Sequence, residues 1–129
     1  MADRSQDWQT QALRNLDQAL DSSRAGRHEW ACFAAQQAAE LVVKALHLAL
    51  GQEAWGHVVR RLLEELAPAI SVPAELLDVA RILDAYYIPT RYPNGHAAGP
   101  PSEHYGPRQS EEAIDCARQI IEFCRAQVA

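Results

Sequence analysis

Between Arg27 and Leu50 the chain carries apolar residues nearly all the way round a helix. Trp30, Phe33, Ala34, Ala38, Leu41, Val42, Ala45 and Leu46 leave only a narrow polar strip of Gln36, Glu40, Lys44 and His47. A helix with so thin a strip belongs at the centre of a bundle, where neighbours cover it on several sides. The run is long enough to span a bilayer, but Gln36, Gln37, Glu40, Lys44 and His47 interrupt it. A spanning helix would hold Glu40 and Lys44 near the bilayer centre, at a cost of about 3 kcal/mol each on insertion scales. The run is therefore a buried core helix. Glu40 and Lys44 stand in the favourable i,i+4 order for an ion pair, and Gly51 follows where a helix C-terminus favours glycine.

The other segments supply the cover. From Ser5 to Ser22, Trp8, Ala12, Leu16 and Leu20 recur every four residues, with Gly26 as the break after them. Val59, Leu62, Leu63 and Leu66 form a short stripe that Pro68 ends. Ser71 is predicted to cap the next helix, with Pro73 in its first turn and a stripe of Leu76, Ala80, Leu83 and Tyr87. The last helix is predicted to start near Ser110 as N-cap. Glu111, Glu112 and Asp115 sit near its positive end, and Ile114, Ala117, Ile121, Cys124 and Val128 face inward. No segment alternates like a strand and none repeats. The fold class expected is all-α, an up-and-down bundle of four long helices with a short extra one, in a single domain over residues 1–129.

Length and charge narrow the function classes. A chain of 129 residues can bury a core without staples. Its net charge of −5 argues against a general nucleic-acid coat but leaves room for a local anion site. Cys32, Cys116 and Cys124 lie among apolar helical residues with no Cys-x-x-Cys pair, which suits buried thiols in a reducing compartment. The first residues, MADRSQDW, are polar and lack the apolar run of a signal peptide, so a cytoplasmic location is expected.

One segment departs from helical patterning. Residues 86–108 hold all four tyrosines, five of the seven prolines and three of the six glycines. Proline removes a backbone donor and clashes with the preceding turn, so this cannot be a regular helix. Connections this long are usually functional or disordered. Tyr86, Tyr87, Tyr92 and Tyr105 favour packing, so an ordered loop laid across the bundle and lining its main cleft is expected.

Asp7-Trp8, the run AAQQAAELVVKAL and the loop YIPTRYP, followed by a Gly-Pro stretch with Tyr105, together resemble the HEPN family over nearly the whole chain. The resemblance is to its short stand-alone bacterial and archaeal members. It implies a helical bundle, commonly a homodimer, often encoded beside a minimal nucleotidyltransferase in a toxin–antitoxin pair. Some members are metal-independent endoribonucleases that use an Arg, four to six residues, then a His. Others are binding modules, and a nucleotide-binding role underlies the family name. In this sequence Arg91 and His96 have the Arg-x4-His spacing. Tyr92 follows the Arg, where active members favour a polar residue, and Ala98 stands where toxin members place a Tyr.

For each candidate there are two readings. Arg91 and His96 suit phosphate chemistry, the fork of donors holding the anion and the imidazole moving a proton. Alternatively Arg91 caps helix carbonyls or pairs with Asp84, and His96 is a loop residue. Tyr92, His104 and Tyr105 suit base stacking, or they pin the loop to the core. The strip with Lys44 lines a ligand cleft, where Lys44 would contact phosphate, or enters a dimer seam, or faces water. His57 reads as structural, a cap near the third helix, and His28 as surface. No metal-ligand spacing, P-loop, dinucleotide fingerprint or hydrolase elbow is present, so no metal or cofactor is expected. The expected function is a binding module for a nucleotide, for a minimal nucleotidyltransferase, or for both. The alternative is a metal-independent ribonuclease with a composite Arg91–His96 site at a dimer seam. A homodimer is expected because the second helix is apolar on more faces than one small bundle needs.

Overall fold

The computed structural model describes residues 3–128 and contains helices only among them. They are α1 (Ser5–Arg24), α2 (His28–Ala49), α3 (Val59–Glu64), α4 (Ala74–Asp84) and α5 (Pro107–Gln127), with short 3₁₀ turns at Pro93–Gly95 and Pro101–Glu103. Three helices are long, and the fourth of the expected set is the 11-residue α4. Gly26, with φ of +78°, makes the left-handed turn that folds α2 back along α1.

Most of the apolar girdle of α2 is buried inside the chain. Every other α-helix packs on it, and Ala31, Cys32, Ala35, Ala38, Ala39 and Val43 are fully buried. On α1, Ala12 and Ala19 are equally buried. Small side chains on both helices let the two axes approach closely. Trp30 remains 48% exposed, with Phe33 and Leu41 only partly buried, so one side of the girdle stays partly uncovered.

Two predicted caps move. Ser71 does not cap α4; Pro73 occupies that position, in an extended conformation with no side-chain cap. Nor does Ser110 cap α5. That helix starts four residues earlier, with Gly106 as N-cap and Pro107 at its first position. Pro107 fits there because its φ is already helical and its missing N–H would have been unpaired. The Gln109 side-chain oxygen accepts from the Gly106 N–H at 2.9 Å. Ser110 is instead wholly buried. Its hydroxyl meets Ser23 Oγ at 3.0 Å, His28 Nδ1 at 2.9 Å and the Pro107 carbonyl at 3.2 Å. One hydroxyl thus joins α1, α2 and α5, and His28, expected at the surface, is half-buried in that joint.

Asp84, at the end of α4, caps α3 from across the fold. Its carboxylate accepts from the backbone N–H of Val59 at 2.6 Å and of Arg60 at 3.1 Å. A six-residue helix has little stability of its own, so this tertiary cap helps fix where α3 begins.

Candidate functional site

The segment after α4 turns tightly on itself. The buried Thr90 hydroxyl donates to the Tyr86 carbonyl at 2.7 Å, and Arg91 Nε donates to the Tyr87 carbonyl at 2.9 Å. These bonds satisfy two carbonyls of the turn that follows α4 and aim the Arg91 guanidinium back across α2. Its carbon lies 4.3 Å from the Phe33 ring centre, 4.7 Å from that of Tyr87 and 5.2 Å from that of Tyr92. Each contact of this kind is worth about 0.5–2 kcal/mol, depending on exposure.

Asp84 is committed to capping α3, so the pairing with Arg91 considered from sequence does not form. Among the described residues Arg91 has no carboxylate partner, and Nε is the one guanidinium nitrogen that donates. Arg91 thus bonds a carbonyl of the turn after α4 and not a helix carbonyl, and most of its donor capacity and its full charge remain unspent. Trp30 stands edge-on to Phe33 at 6.3 Å. Trp30 and Tyr92 are each about half exposed, at 48% and 47%. Beside them a cleft of about 400 Å³ runs between α1 and α2, lined by Gln18, Arg27, Trp30, Phe33 and Gln37 among others. That volume is within the range of small-molecule sites. The result is one face with a positive charge, flat exposed rings and an adjoining cleft.

His96 lies in a different cluster. Its Nε2 donates to the Pro89 carbonyl at 2.7 Å, and His104 Nε2 donates to the Ala98 carbonyl at 2.6 Å. The two imidazoles stack with centres 4.1 Å apart and planes 3° apart. Tyr105 meets His96 edge-on at 5.7 Å and Tyr86 at 5.9 Å. Burial raises the phenol pKa of Tyr86 and of Tyr105, and the Tyr86 hydroxyl donates to Glu112 on α5. Tyr105 therefore pins the loop to the core while the histidines clasp it. Arg91 and His96 share no neighbour in this set, and no hydrogen bond joins them among the described residues. Nor do the larger clefts, beside α1 and the α2–α3 connection, take a lining residue from the loop.

Lys44 forms a third group. Its ammonium donates to Glu40 at 3.1 Å, and the pair is largely buried, with side chains 13% and 4% exposed. Lys44 also borders a cleft of about 560 Å³ with Trp8, Leu48, Gln52 and Trp55. The polar strip of α2 is thus an internal network. Gln36 donates to the His57 carbonyl and to Glu40, at 3.1 and 3.3 Å. His47 Nε2 donates to the Leu62 carbonyl at 2.8 Å.

The sequence reading gave His57 a structural place near the third helix but not its partners. Its Nδ1 donates to both Glu40 oxygens at 3.1 Å, and its ring stacks on Tyr87 at 4.7 Å and 18°. It caps no helix and sits on the same tyrosine as Arg91. The available signal was Glu40 itself, since a carboxylate on a buried helix requires more than one partner. Among the described residues no group of three or more His, Cys, Asp or Glu gathers to hold a metal ion, and no helix is long and apolar enough to cross a membrane.

Comparison with known proteins places these features in context. Residues 5–127 match the HEPN domain. The structure is similar to that of TT1696 from Thermus thermophilus, with 50% identity, coverage of 97% and 98% of the two chains and a TM-score of 0.95. It is similar to ST0689, an archaeal HEPN homologue, at 38% identity over the full length of both chains and a TM-score of 0.84. A HEPN domain protein from Thermotoga maritima is 31% identical over 95% and 97% of the chains, with a TM-score of 0.77. No curated protein matches by sequence.

Proposed function

The chain belongs to the HEPN domain family, and on that premise we propose that it is a nucleotide-binding module whose ligand lies on the Arg91 face. The carrying observation is the guanidinium of Arg91, held over Phe33, Tyr87 and Tyr92 with no acidic partner among the described residues. A planar donor fork suits a phosphate. Half-exposed Trp30 and Tyr92 beside it suit a base, because every base has a π-face. Of the candidates read from sequence, Arg91 and Tyr92 belong to this face. Tyr105 and His104 serve the loop, and Lys44 serves Glu40.

The net charge of −5 limits long-range attraction of polyanions, so the ligand is a mononucleotide or a short single strand. A homodimer, and pairing with a minimal nucleotidyltransferase in a toxin–antitoxin-like system, complete this reading; family membership supports both. The test is a calorimetric titration with adenosine 3′-monophosphate at low salt. Binding is expected in the wild type, and Arg91→Ala is expected to weaken it by about tenfold or more, the loss of a charge-assisted contact of about 1.5–3 kcal/mol. Equal binding by both proteins would refute the assignment.

A second reading has its own observation. Donation from Nε2 to Pro89 leaves Nδ1 of His96 with its lone pair, ready to take a proton. Since Arg91 faces other neighbours, a metal-independent ribonuclease would have to join Arg91 of one copy to His96 of another at a dimer seam.

A further inference from the structure

We infer that the cleft between α1 and α2 receives the base of the nucleotide, and that Gln37 selects a base carrying an exocyclic amino group. The inference rests on the nucleotide reading above and names the class of base within it.

The cleft has the size and the walls for a flat ring. Its volume is about 400 Å³, and Gln18, Arg27, Trp30, Phe33 and Gln37 are among the residues that line it. A purine or pyrimidine fits within that space. Trp30 and Phe33 stand edge-on with ring centres 6.3 Å apart, and Trp30 is 48% exposed, so a base finds an aromatic surface there. Among the described residues that line the cleft Arg27 alone is charged, so no carboxylate in the lining opposes an anionic ligand.

Gln37 supplies the selectivity, through hydrogen bonds whose direction starts at the backbone. The His57 carbonyl can only accept, so Gln36 turns its amide nitrogen to it, at 3.1 Å. The Gln36 oxygen then accepts from Gln37 Nε2 at 2.8 Å, and Gln37 Nε2 also lies 3.4 Å from Glu40 Oε1. Gln36 and Glu40 are both buried, and neither lines the cleft. The Gln37 nitrogen is thereby committed to the interior and its oxygen is left over. Oε1 has no partner among the described residues, where no enclosed side-chain nitrogen or oxygen goes without one, so Oε1 is open. The opening that Gln37 borders is the cleft. An amide oxygen there takes an N–H donor. The exocyclic amino group of adenine, cytosine or guanine is such a donor, and a ring with hydrogen in its place leaves Oε1 against a C–H edge.

The test is calorimetric titration of the full chain with adenosine 3′-monophosphate and with purine riboside 3′-monophosphate, the same nucleotide without the 6-amino group. The wild type is expected to prefer the adenosine ligand by about three- to tenfold, the worth of one hydrogen bond. Gln37→Lys keeps a nitrogen donor for Gln36 and Glu40 and has no acceptor. Its added charge acts on both ligands alike, so the readout is the ratio of the two affinities, which is expected to fall to about one. A Gln37 that merely braces Gln36 would leave the ratio unchanged in that variant, and this result would overturn the inference. Should the variant fold poorly, the Gln37 side-chain NH₂ signals of the ¹⁵N-labelled wild type decide: they are expected to shift with the adenosine ligand and less with the purine riboside, and equal shifts would overturn the inference. Equal wild-type affinity for the two ligands, both weakened by Arg91→Ala, would refute the Gln37 assignment and leave the Arg91 reading standing. No binding of either ligand would refute both.

Discussion

Arg91 shows how one side chain can be both structural and open for use. One of its donors closes the turn after α4 through the Tyr87 carbonyl. The charge itself rests on aromatic faces, which attract a cation without neutralising it. Glu40 is the opposite case: Lys44, His57, Gln36 and Gln37 all donate to its carboxylate, so its charge is spent inside the bundle. The sequence made the Glu40–Lys44 pair readable, because its members stand four residues apart on one helix. It hid the partners of His57, of which Glu40 is 17 residues away, because the ring's position depends on how the α2–α3 connection folds back. The cysteines were readable as buried apolar residues. Burial pushes the thiols of Cys32 and Cys124 up to about 12 and that of Cys116 to about 11. For Cys32 and Cys116 nearby acidic residues add to the effect. Because the thiolate is the reactive form, the folded protein is expected to resist iodoacetamide at mildly alkaline pH, with all three sites alkylated after denaturation. Mass spectrometry reads the difference. Rapid labelling of the native protein would contradict this account of the core.

At the scale of elements, periodicity located α1, α2, α4 and α5, because each keeps a continuous apolar face over three turns or more. The starts of helices were less legible. Ser110 has the chemistry of a cap, but Pro107 and Gln109 start α5 earlier, and its hydroxyl is used to join three helices. The cap of α3 lies 25 residues away in Asp84, beyond any local signal. Asp84→Ala is expected to cost about 1–2 kcal/mol, from two helix N–H groups left without their acceptor. Urea denaturation measures it. Burial raises the Asp84 pKa, outweighing the backbone bonds and Arg60, which lower it. Its folded form thus holds a proton more tightly than the unfolded chain does. The stability it contributes is full below the unfolded pKa and falls as pH rises through the raised folded value. The difference between wild type and Asp84→Ala is therefore expected to be larger at acid than at neutral pH. A difference that grows with pH would mean that the cap depends on the ionised carboxylate.

Across the whole molecule, central placement of α2 was legible from its girdle. Most of the girdle is covered by α1, α3, α4 and α5, while its Trp30 stays exposed. A case for association rests on exposed apolar side chains, Trp55 at 80%, Ile88 at 49% and Trp30 at 48%, together with family membership. Light scattering at micromolar concentration is expected to give twice the 14.3 kDa chain mass. A monomer there would remove the composite Arg91–His96 ribonuclease reading, while leaving the Arg91 face intact, since all its residues come from one chain.

The central claim is that ligand binds on the Arg91 face. The most direct measurement is a two-dimensional ¹H–¹⁵N spectrum of the labelled protein titrated with adenosine 3′-monophosphate. The Trp30 indole N–H, the Arg91 Nε–H and the backbone amides of Phe33, Tyr87 and Tyr92 are expected to shift together along one saturable curve. The amides of His104 and Tyr105 and the Trp55 indole should move little. Shifts confined to the His96–His104 clasp or to the Lys44–Trp55 cleft, with the Arg91 face unmoved, would contradict the account.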